Sequence, residues 1–285
     1  MNSCDDIPGL VSTHWLADRL GDPGVVVVDA SFHLPNAHRD AMAEYRQMHI
    51  QGAVFFDIDT ICDPVSPYPH MLPDESTMSA EAGALGMGGA RHVVTYDSLG
   101  VFSSPRLWWM LRTFGHRKVS VLDGGLPKWR AEQRPVDDKI VMARPVEFAA
   151  KLNRDAVRDM LQIMGNLKER SEQVIDARSA ARFHGIEKEP RPGLRSGHIP
   201  GALNLPFANL LTHDSTTMLS PEDLQQVFLD AGVNLQRPVV ASCGSGVSAC
   251  IIALGLHLLG HENAAVYDGS WSEWGARTDT PIDND

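Results

Sequence analysis

The stretch "PVVASCGSGVSACIIALGLHLLG" (238–260) decides the fold of this chain. A short apolar run leads into Cys243, a loop rich in glycine and serine follows, and an apolar stretch then runs to Gly260. This order predicts a buried strand, a loop and a buried helix. Strands that alternate with helices in this way favour an α/β fold, in which helices cover both faces of a parallel sheet.

The landmarks of such a fold occur twice along the chain. The matching pairs are "VVVVDAS" (25–31) with "QVIDARS" (173–179), "HIQGA" (49–53) with "HIPGA" (198–202), "HVVTYD" (92–97) with "PVVASC" (238–243), and "VLDGGLPKW" (121–129) with "VYDGSWSEW" (266–274). The pairs keep their order at a nearly constant spacing, which indicates two copies of one ancestral domain. We therefore predict an N-terminal domain over residues 1–138, a linker over 139–155 and a C-terminal domain over 156–285.

Composition narrows the class of protein. The 285 residues are 43% hydrophobic and 21% charged, as in a soluble globular protein. The net charge of −11 argues against nucleic acid as a partner, and the chain lacks an apolar run long enough to span a membrane. The four cysteines, Cys4, Cys62, Cys243 and Cys250, follow no signal peptide, so we expect free thiols in the cytoplasm. With no HExxH or Cys/His cluster, we expect no metal site.

The position of Cys243 predicts a reactive thiolate. It follows the carboxyl end of a predicted strand, where parallel sheets bind their ligands. The unpaired N–H groups and positive dipole at the start of the next helix favour thiolate over thiol. Gly244 and Gly246 allow the loop to curl into an anion-binding nest. Cys250 lies in the apolar helical stretch and is expected to be buried and inert. Cysteine phosphatases need an arginine where this chain has Ala249, which argues against phosphoryl transfer.

Longer motifs give the chain a family resemblance. Those motifs, beside the duplication itself, are "CGSGVS" (243–248), "RFHGIEKEPRPGLRSGHIPGA" (182–202), "YDGSWSEWG" (267–275), "FFDIDTICDPVSPYPHMLP" (55–73) and "SSPRLWWMLRTFGH" (103–116). They resemble the rhodanese superfamily, and within it the branch that takes sulfur from 3-mercaptopyruvate. The resemblance covers nearly the whole chain. It implies two tandem rhodanese-like α/β domains, with a catalytic C-terminal copy and an N-terminal copy that carries Asp97 in place of Cys243.

The resemblance also implies a reaction. Sulfur would pass from 3-mercaptopyruvate to Cys243 as a persulfide, pyruvate would leave, and a thiol or cyanide would then remove the outer sulfur. Thioredoxin is a possible thiol partner by the same resemblance, and no cofactor is required. Arg182 and Arg191 resemble the family's carboxylate-binding pair, although either could instead pair with Glu187 or Glu189.

Other residues of the expected site follow from the same resemblance. The donor would also meet four residues of the loop after Cys243, which are Gly244, Gly246, Val247 and Ser248. A proposed proton relay maps onto Asp59, His70 and Ser245, so His70 would reach across a cleft between the domains. Alternatively, His70 only holds the backbone of its proline-rich loop, and Asp57 or Asp63 competes with Asp59 for the role of the acid.

Two other functions stay open at this level. Thiosulfate could be the sulfur donor, but Gly244 and Ser245 are neutral where thiosulfate enzymes of the family place cations to hold a dianion. Alternatively, the protein could carry persulfide sulfur or bind a partner with little turnover. The intact Cys243 and the paired arginines favour an enzyme over a binding module.

Overall fold

Two five-stranded parallel sheets form the framework of the chain in a computed structural model. The structure describes residues 7–213, 216–262 and 264–284, so Cys4 lies outside the described residues. The first sheet contains β1 (Leu10–Val11), β2 (Val25–Asp29), β4 (Val54–Phe55), β5 (His92–Tyr96) and β6 (Val119–Leu122), and the antiparallel pair beside it is β3 (His49–Ile50) with β7 (Val136–Asp137). The second sheet contains β8 (Val157–Arg158), β9 (Gln173–Asp176), β10 (Leu203–Asn204), β11 (Val239–Ser242) and β12 (Ala264–Tyr267).

The two sheets have the same topology. The first has the order β1-β6-β5-β2-β4 and the second, read from its far edge, β8-β12-β11-β9-β10. In both, the first strand along the chain lies at one edge beside the last, and the fourth lies at the centre. Tyr96 of β5 stands opposite Asp29 of β2, and Ser242 of β11 stands opposite Asp176 of β9. The predicted tandem α/β fold is therefore confirmed.

Ten α-helices accompany these strands in the part of the chain that the structure describes. They are α1 (Thr13–Ala17), α2 (Ala41–Gln47), α3 (Glu75–Ala84), α4 (Ser104–Thr113), α5 (Gly125–Ala131), α6 (Met160–Glu169), α7 (Ala180–Phe183), α8 (Pro221–Asp230), α9 (Ala249–Leu258) and α10 (Ser270–Trp274). Helix α8 begins after Ser220, whose side chain accepts from the Asp223 amide, and Pro221 takes the first turn. None of the described helices has the length and apolar character needed to cross a membrane.

One hydrophobic core joins the two halves. Helix α4 of the first half packs against α9 of the second, and the shared cluster includes Leu107 and Leu111 together with Ile251 and Leu254. Burial of apolar area on this scale is the main force that holds such units together. The residues from 138 to 153, which form most of the predicted linker, contain no regular helix or strand. Their path along the first half is fixed by backbone bonds such as Val146 N–H to Gly83 O, at 3.0 Å.

Candidate active site

The backbone of Cys243 is held by the start of α10. Cys243 directly follows β11, and only 1% of the residue is exposed. Its amide donates to Ser270 Oγ at 3.1 Å, and its carbonyl accepts from the Trp271 amide at 3.0 Å. The next carbonyl, of Gly244, accepts from both the amide and the hydroxyl of Ser272, at 2.8 and 2.7 Å. The start of α10 therefore fixes the first carbonyls of the loop, and the amides that follow Cys243 are left for other partners.

The loop after Cys243 has free backbone donors. Gly246 has a φ of +76°, which turns the chain within the loop and is a conformation that favours glycine. Ser245 and Val247 are buried, whereas Ser248 is half-buried. Among the described residues, no acceptor takes a hydrogen bond from the amides of residues 244–248. Buried amides require a partner, so this loop is suited to an anion bound at Cys243.

The relay residues of the sequence prediction lie together in the structure. His70 Nε2 is 2.7 Å from Asp59 Oδ1, and His70 Nδ1 is 3.0 Å from Ser245 Oγ. A carboxylate only accepts, so neutral His70 carries its proton on Nε2 and its Nδ1 accepts from the Ser245 hydroxyl. The His70 side chain is 2% exposed and that of Asp59 is 63% exposed. The chain of groups therefore runs from the Cys243 loop, across the boundary between the halves, to solvent.

The two predicted arginines differ in their charge partners. An added Cβ at Gly244 would lie 3.1 Å from Arg182 Nη2 and 4.0 Å from Arg191 Nη1, so both guanidinium groups border the Cys243 loop. Arg182 is paired with Glu189, with its Nη2 2.5 Å from Oε2. Arg191 forms no hydrogen bond or ion pair with the described residues, and burial lowers its pKa despite the counteracting Cys243. Arg191 is thus the guanidinium available to an anion.

Glu189 also shows why Arg182 is not free. Its other oxygen accepts from Arg178 Nη1 at 2.8 Å, and the Glu189 side chain is only 2% exposed. Arg178 in turn forms a buried ion pair with Asp176, at 2.6 Å. The sequence offered Glu187 and Glu189 as alternative partners, and the structure selects Glu189. This network fixes the orientation of Arg182 and neutralises part of its charge.

The sequence analysis missed Ser270, whose backbone φ is +48°. Its Oγ donates to Tyr267 O at 2.8 Å while it accepts from the Cys243 amide. The equivalent residue of the first half is Gly125, with a φ of +50°. Alignment of "VLDGGLPKW" with "VYDGSWSEW" could have found this position, because a glycine in one copy stands opposite a serine in the other.

The other described cysteines have different surroundings. Cys250 is fully buried in α9, where burial raises the pKa of its thiol and the thiol donates to Gly246 O at 3.2 Å. Cys62 is half-buried, burial also raises the pKa of its thiol, and the thiol donates to Asp59 O at 3.1 Å. Within the described ranges, no group of three or more potential ligands is arranged to hold a metal ion.

Paired parallel-sheet domains, with a cysteine loop at the end of a central strand, define a tandem rhodanese architecture. The rhodanese-like domain family matches residues 12–132 and 159–277, so the chain belongs to the rhodanese family. A 3-mercaptopyruvate sulfurtransferase of Rattus norvegicus is 45% identical over 271 residues, covering 93% of this chain and 91% of the rat protein. A thiosulfate sulfurtransferase of Cricetulus griseus is 46% identical over 272 residues, covering 93% of this chain and 91% of its own.

A solved structure extends this likeness to the fold. The crystal structure of SseA from Escherichia coli, described as one of the 3-mercaptopyruvate sulfotransferases, has a TM-score of 0.85 against this chain. The two sequences are 40% identical, and the match covers 93% of this chain and 99% of the SseA chain. The likeness therefore extends across both halves.

Proposed function

We propose that the protein is a sulfurtransferase that takes sulfur from 3-mercaptopyruvate, stores it on Cys243 as a persulfide and passes it to a thiol or to cyanide. The observation that carries this proposal is the charge of the cleft. Glu189 neutralises part of the charge of Arg182, whereas Arg191 forms no hydrogen bond or ion pair with the described residues, so Arg191 is the guanidinium left for the donor. One positive charge suits the single carboxylate of 3-mercaptopyruvate, and a planar guanidinium can hold that carboxylate by two hydrogen bonds.

The first half-reaction makes the persulfide. The Cys243 thiolate attacks the donor sulfur, an S–S bond forms, and the donor C–S bond breaks with its electron pair left on carbon as the enolate of pyruvate. The enolate then takes a proton and leaves as pyruvate. The donor thiol supplies that proton through Ser245 Oγ and His70 Nδ1, which lie 3.0 Å apart beside the loop. Atoms and charge balance without a cofactor.

The second half-reaction returns the enzyme to its starting state. An acceptor thiolate attacks the outer sulfur of the persulfide, a new S–S bond forms on the acceptor, and Cys243 leaves as thiolate. The free amides of residues 244–248 stabilise negative charge on sulfur before and after each transfer. Gly244, Gly246, Val247 and Ser248 would line the donor's path, so the loop acts as an anion-binding site in both steps.

Thiosulfate is the second candidate donor, because the similar Cricetulus griseus protein is named a thiosulfate sulfurtransferase. A dianion needs more than one uncompensated cation, and the loop after Cys243 supplies none. The acceptor is expected to be a small thiol or a protein thiol such as thioredoxin. The free thiols suit the reducing conditions of the cytoplasm, where we expect the protein to act.

The deciding experiment compares kcat/KM for the two donors, with the wild type, Arg191→Lys and Arg182→Lys. We expect the wild type to prefer 3-mercaptopyruvate. Arg191→Lys keeps the charge but loses the two-pronged contact, which should lower kcat/KM on that donor about tenfold to a hundredfold. Arg182→Lys should cost less, because Glu189 already engages that guanidinium. A preference of the wild type for thiosulfate, or full activity in Arg191→Lys, would contradict the donor assignment.

A further inference from the structure

Arg106 crosses from the first half into the catalytic site. It belongs to α4 and is fully buried. Its Nη2 is 2.8 Å from Asp268 Oδ1 and also donates to the His70 carbonyl, while its Nη1 donates to Gly246 O at 3.3 Å. The contact with Asp268 Oδ1 is a charge contact and not an aligned hydrogen bond, since that oxygen has no hydrogen-bond partner. One guanidinium therefore touches the catalytic loop, the loop of His70 and an aspartate of the second half.

Asp268 holds the chain just after His70. Its other oxygen, Oδ2, accepts from the Leu72 amide at 2.7 Å. The carbonyl of His70 and the amide two residues later are thus both held by the Arg106–Asp268 pair. His70 has a φ of +63°, which is uncommon for a residue other than glycine and costs free energy unless the surroundings impose it. The pair supplies that constraint at the residue that contacts Ser245.

The equivalent position of the other copy carries no arginine. The repeat aligns Asp268 with Asp123, whose carboxylate accepts from the Met218 amide of the other half at 2.9 Å. It aligns Arg106 with Ile252, an apolar residue buried in α9. Both aspartates therefore hold a loop across the boundary between the halves, but only the one beside Cys243 is joined to an arginine. A buried ion pair has a desolvation cost that an aliphatic residue avoids, so stability alone does not require it.

We propose that Arg106 and Asp268 form a positioning pair, which holds His70 in its left-handed conformation so that Nδ1 meets the Ser245 hydroxyl. The pair acts through His70 and touches no reacting atom. This inference rests on the proposed function, because it assigns the pair to the proton relay of that reaction. It also predicts that loss of the pair and loss of His70 have the same kinetic consequence.

The test is a double-mutant cycle between Arg106→Lys and His70→Ala, with 3-mercaptopyruvate as the donor. Lysine keeps the charge but cannot reach all the acceptors that the guanidinium contacts. We expect Arg106→Lys to lower kcat about tenfold or more and to change KM less than about threefold, because Arg191 is untouched. In the His70→Ala background the same change should cost less than about twofold. Equal losses in both backgrounds, or an unchanged kcat in folded Arg106→Lys, would overturn the proposal.

A second variant covers the case in which lysine prevents folding. Arg106→Met combined with Asp268→Asn removes both buried charges together and leaves neither unpaired. The matched control is Asp123→Asn, which alters the equivalent contact of the first half and should leave kcat within about twofold. A comparable loss of kcat in the control would show that any disturbance of the boundary is sufficient, which contradicts a specific positioning role.

Hydrogen exchange separates this inference from the proposed function. If the wild type fails to turn over 3-mercaptopyruvate, the proposed function is wrong, but the amide of Leu72 still reports on the pair. Its exchange should accelerate about tenfold or more in the charge-free double variant and stay unchanged in Asp123→Asn. Unchanged Leu72 exchange in the double variant would overturn the positioning role whatever the activity.

Discussion

The Asp97 loop and the Cys243 loop show how one fold treats the same position in two ways. Both follow the central strand of a sheet, after β5 in the first half and after β11 in the second. In the first half, the Asp97 carboxylate accepts from the backbone amides of Leu99, Phe102, Ser103 and Ser104 at 2.9–3.0 Å, and from the Ser104 hydroxyl at 2.7 Å. In the second half, Cys243 stands at that position and the amides of the following loop have no partner among the described residues.

The first copy of the loop binds a carboxylate, and we infer that the second copy can bind an anion in the same way. The first copy is filled permanently by its own carboxylate, which makes it a structural turn. In the proposed reaction, the free amides of the second copy would instead stabilise the sulfur, whose charge changes during transfer. Backbone amides that are always hydrogen-bonded stabilise the fold, whereas free amides can stabilise a negative charge that appears only during the reaction. A substitution that makes the Cys243 loop like the Asp97 loop should therefore raise stability and abolish activity. Removal of the Asp97 carboxylate should lower stability.

The largest effect is expected when the catalytic loop is made like the inert one. Cys243→Asp should abolish sulfur transfer while its carboxylate engages the free amides and raises the free energy of unfolding by about 1–3 kcal/mol. Steady-state assays and chemical denaturation would measure the two effects. Cys243→Ser is the control, because it also removes the nucleophile but brings no carboxylate. A Cys243→Asp protein less stable than Cys243→Ser would contradict the equivalence of the two nests.

The reverse experiment removes the internal anion of the first half. Asp97→Ala leaves several buried amides without their acceptor and should lower the free energy of unfolding by about 3 kcal/mol or more. Activity per folded molecule should stay within about threefold of the wild type, because Asp97 lies in the other half. Denaturant titration and a steady-state assay at low temperature would test both parts. A loss of kcat comparable to that of Cys243→Ser would mean that the first-half loop takes part in the reaction.

The aspartates that end β2 and β9 give a pH-dependent comparison. Asp176 is paired with Arg178, whereas Asp29 forms no ion pair with the described residues and accepts from the amide and hydroxyl of Ser31. Burial raises the pKa of Asp29 from 3.8 to about 6. The native state therefore holds this proton more tightly than the unfolded state. The contribution of Asp29 to the free energy of unfolding is therefore full below about pH 4 and is lost as the pH rises through about 6.

Replacement of Asp29 by asparagine should remove that loss. At pH 7.5 we expect Asp29→Asn to be about 1–3 kcal/mol more stable than the wild type, and the gain should vanish near pH 4. Denaturant titrations at several pH values would measure it. Asp176→Asn serves as the contrast and should destabilise the protein, because it removes a partner of buried Arg178. A gain in Asp29→Asn that does not depend on pH would contradict the assigned cause.

The smallest effect is expected at the paired residues with a left-handed backbone. Ser270→Gly relieves a cost of about 1–2 kcal/mol but removes the acceptor of the Cys243 amide, so kcat should fall about threefold to tenfold with little loss of stability. Gly125→Ser is the reciprocal change, and its Cβ would lie 2.5 Å from the carbonyl oxygens of Asp97 and Gly100. It should destabilise the first half and leave the Cys243 loop unaltered. Unchanged kcat in Ser270→Gly would exclude a role for its hydroxyl in positioning Cys243.

The sequence predicted the fold well because the relevant signals are local and occur twice. Alternating apolar runs and the loop glycines Gly244 and Gly246 each act within a few residues, and the repeat supplied an internal alignment. The approach of His70 to Ser245 came only from family resemblance, since no local pattern joins residues so far apart. The choice of Glu189 over Glu187 as the partner of Arg182 depends on tertiary packing, as does the approach of Arg106 to the second half, so composition and spacing could not predict either. The limits of the two domains and of the linker stay predictions.

The central claim is that Cys243 alone carries the transferred sulfur. Its most direct test is mass spectrometry of the protein after brief incubation with 3-mercaptopyruvate and no acceptor. The account predicts one added sulfur, which fragment spectra place on Cys243 and not on Cys250 of the same stretch, and which cyanide or a thiol then removes. Added sulfur on Cys62 or Cys250, or no added sulfur in a protein that releases pyruvate, would contradict it.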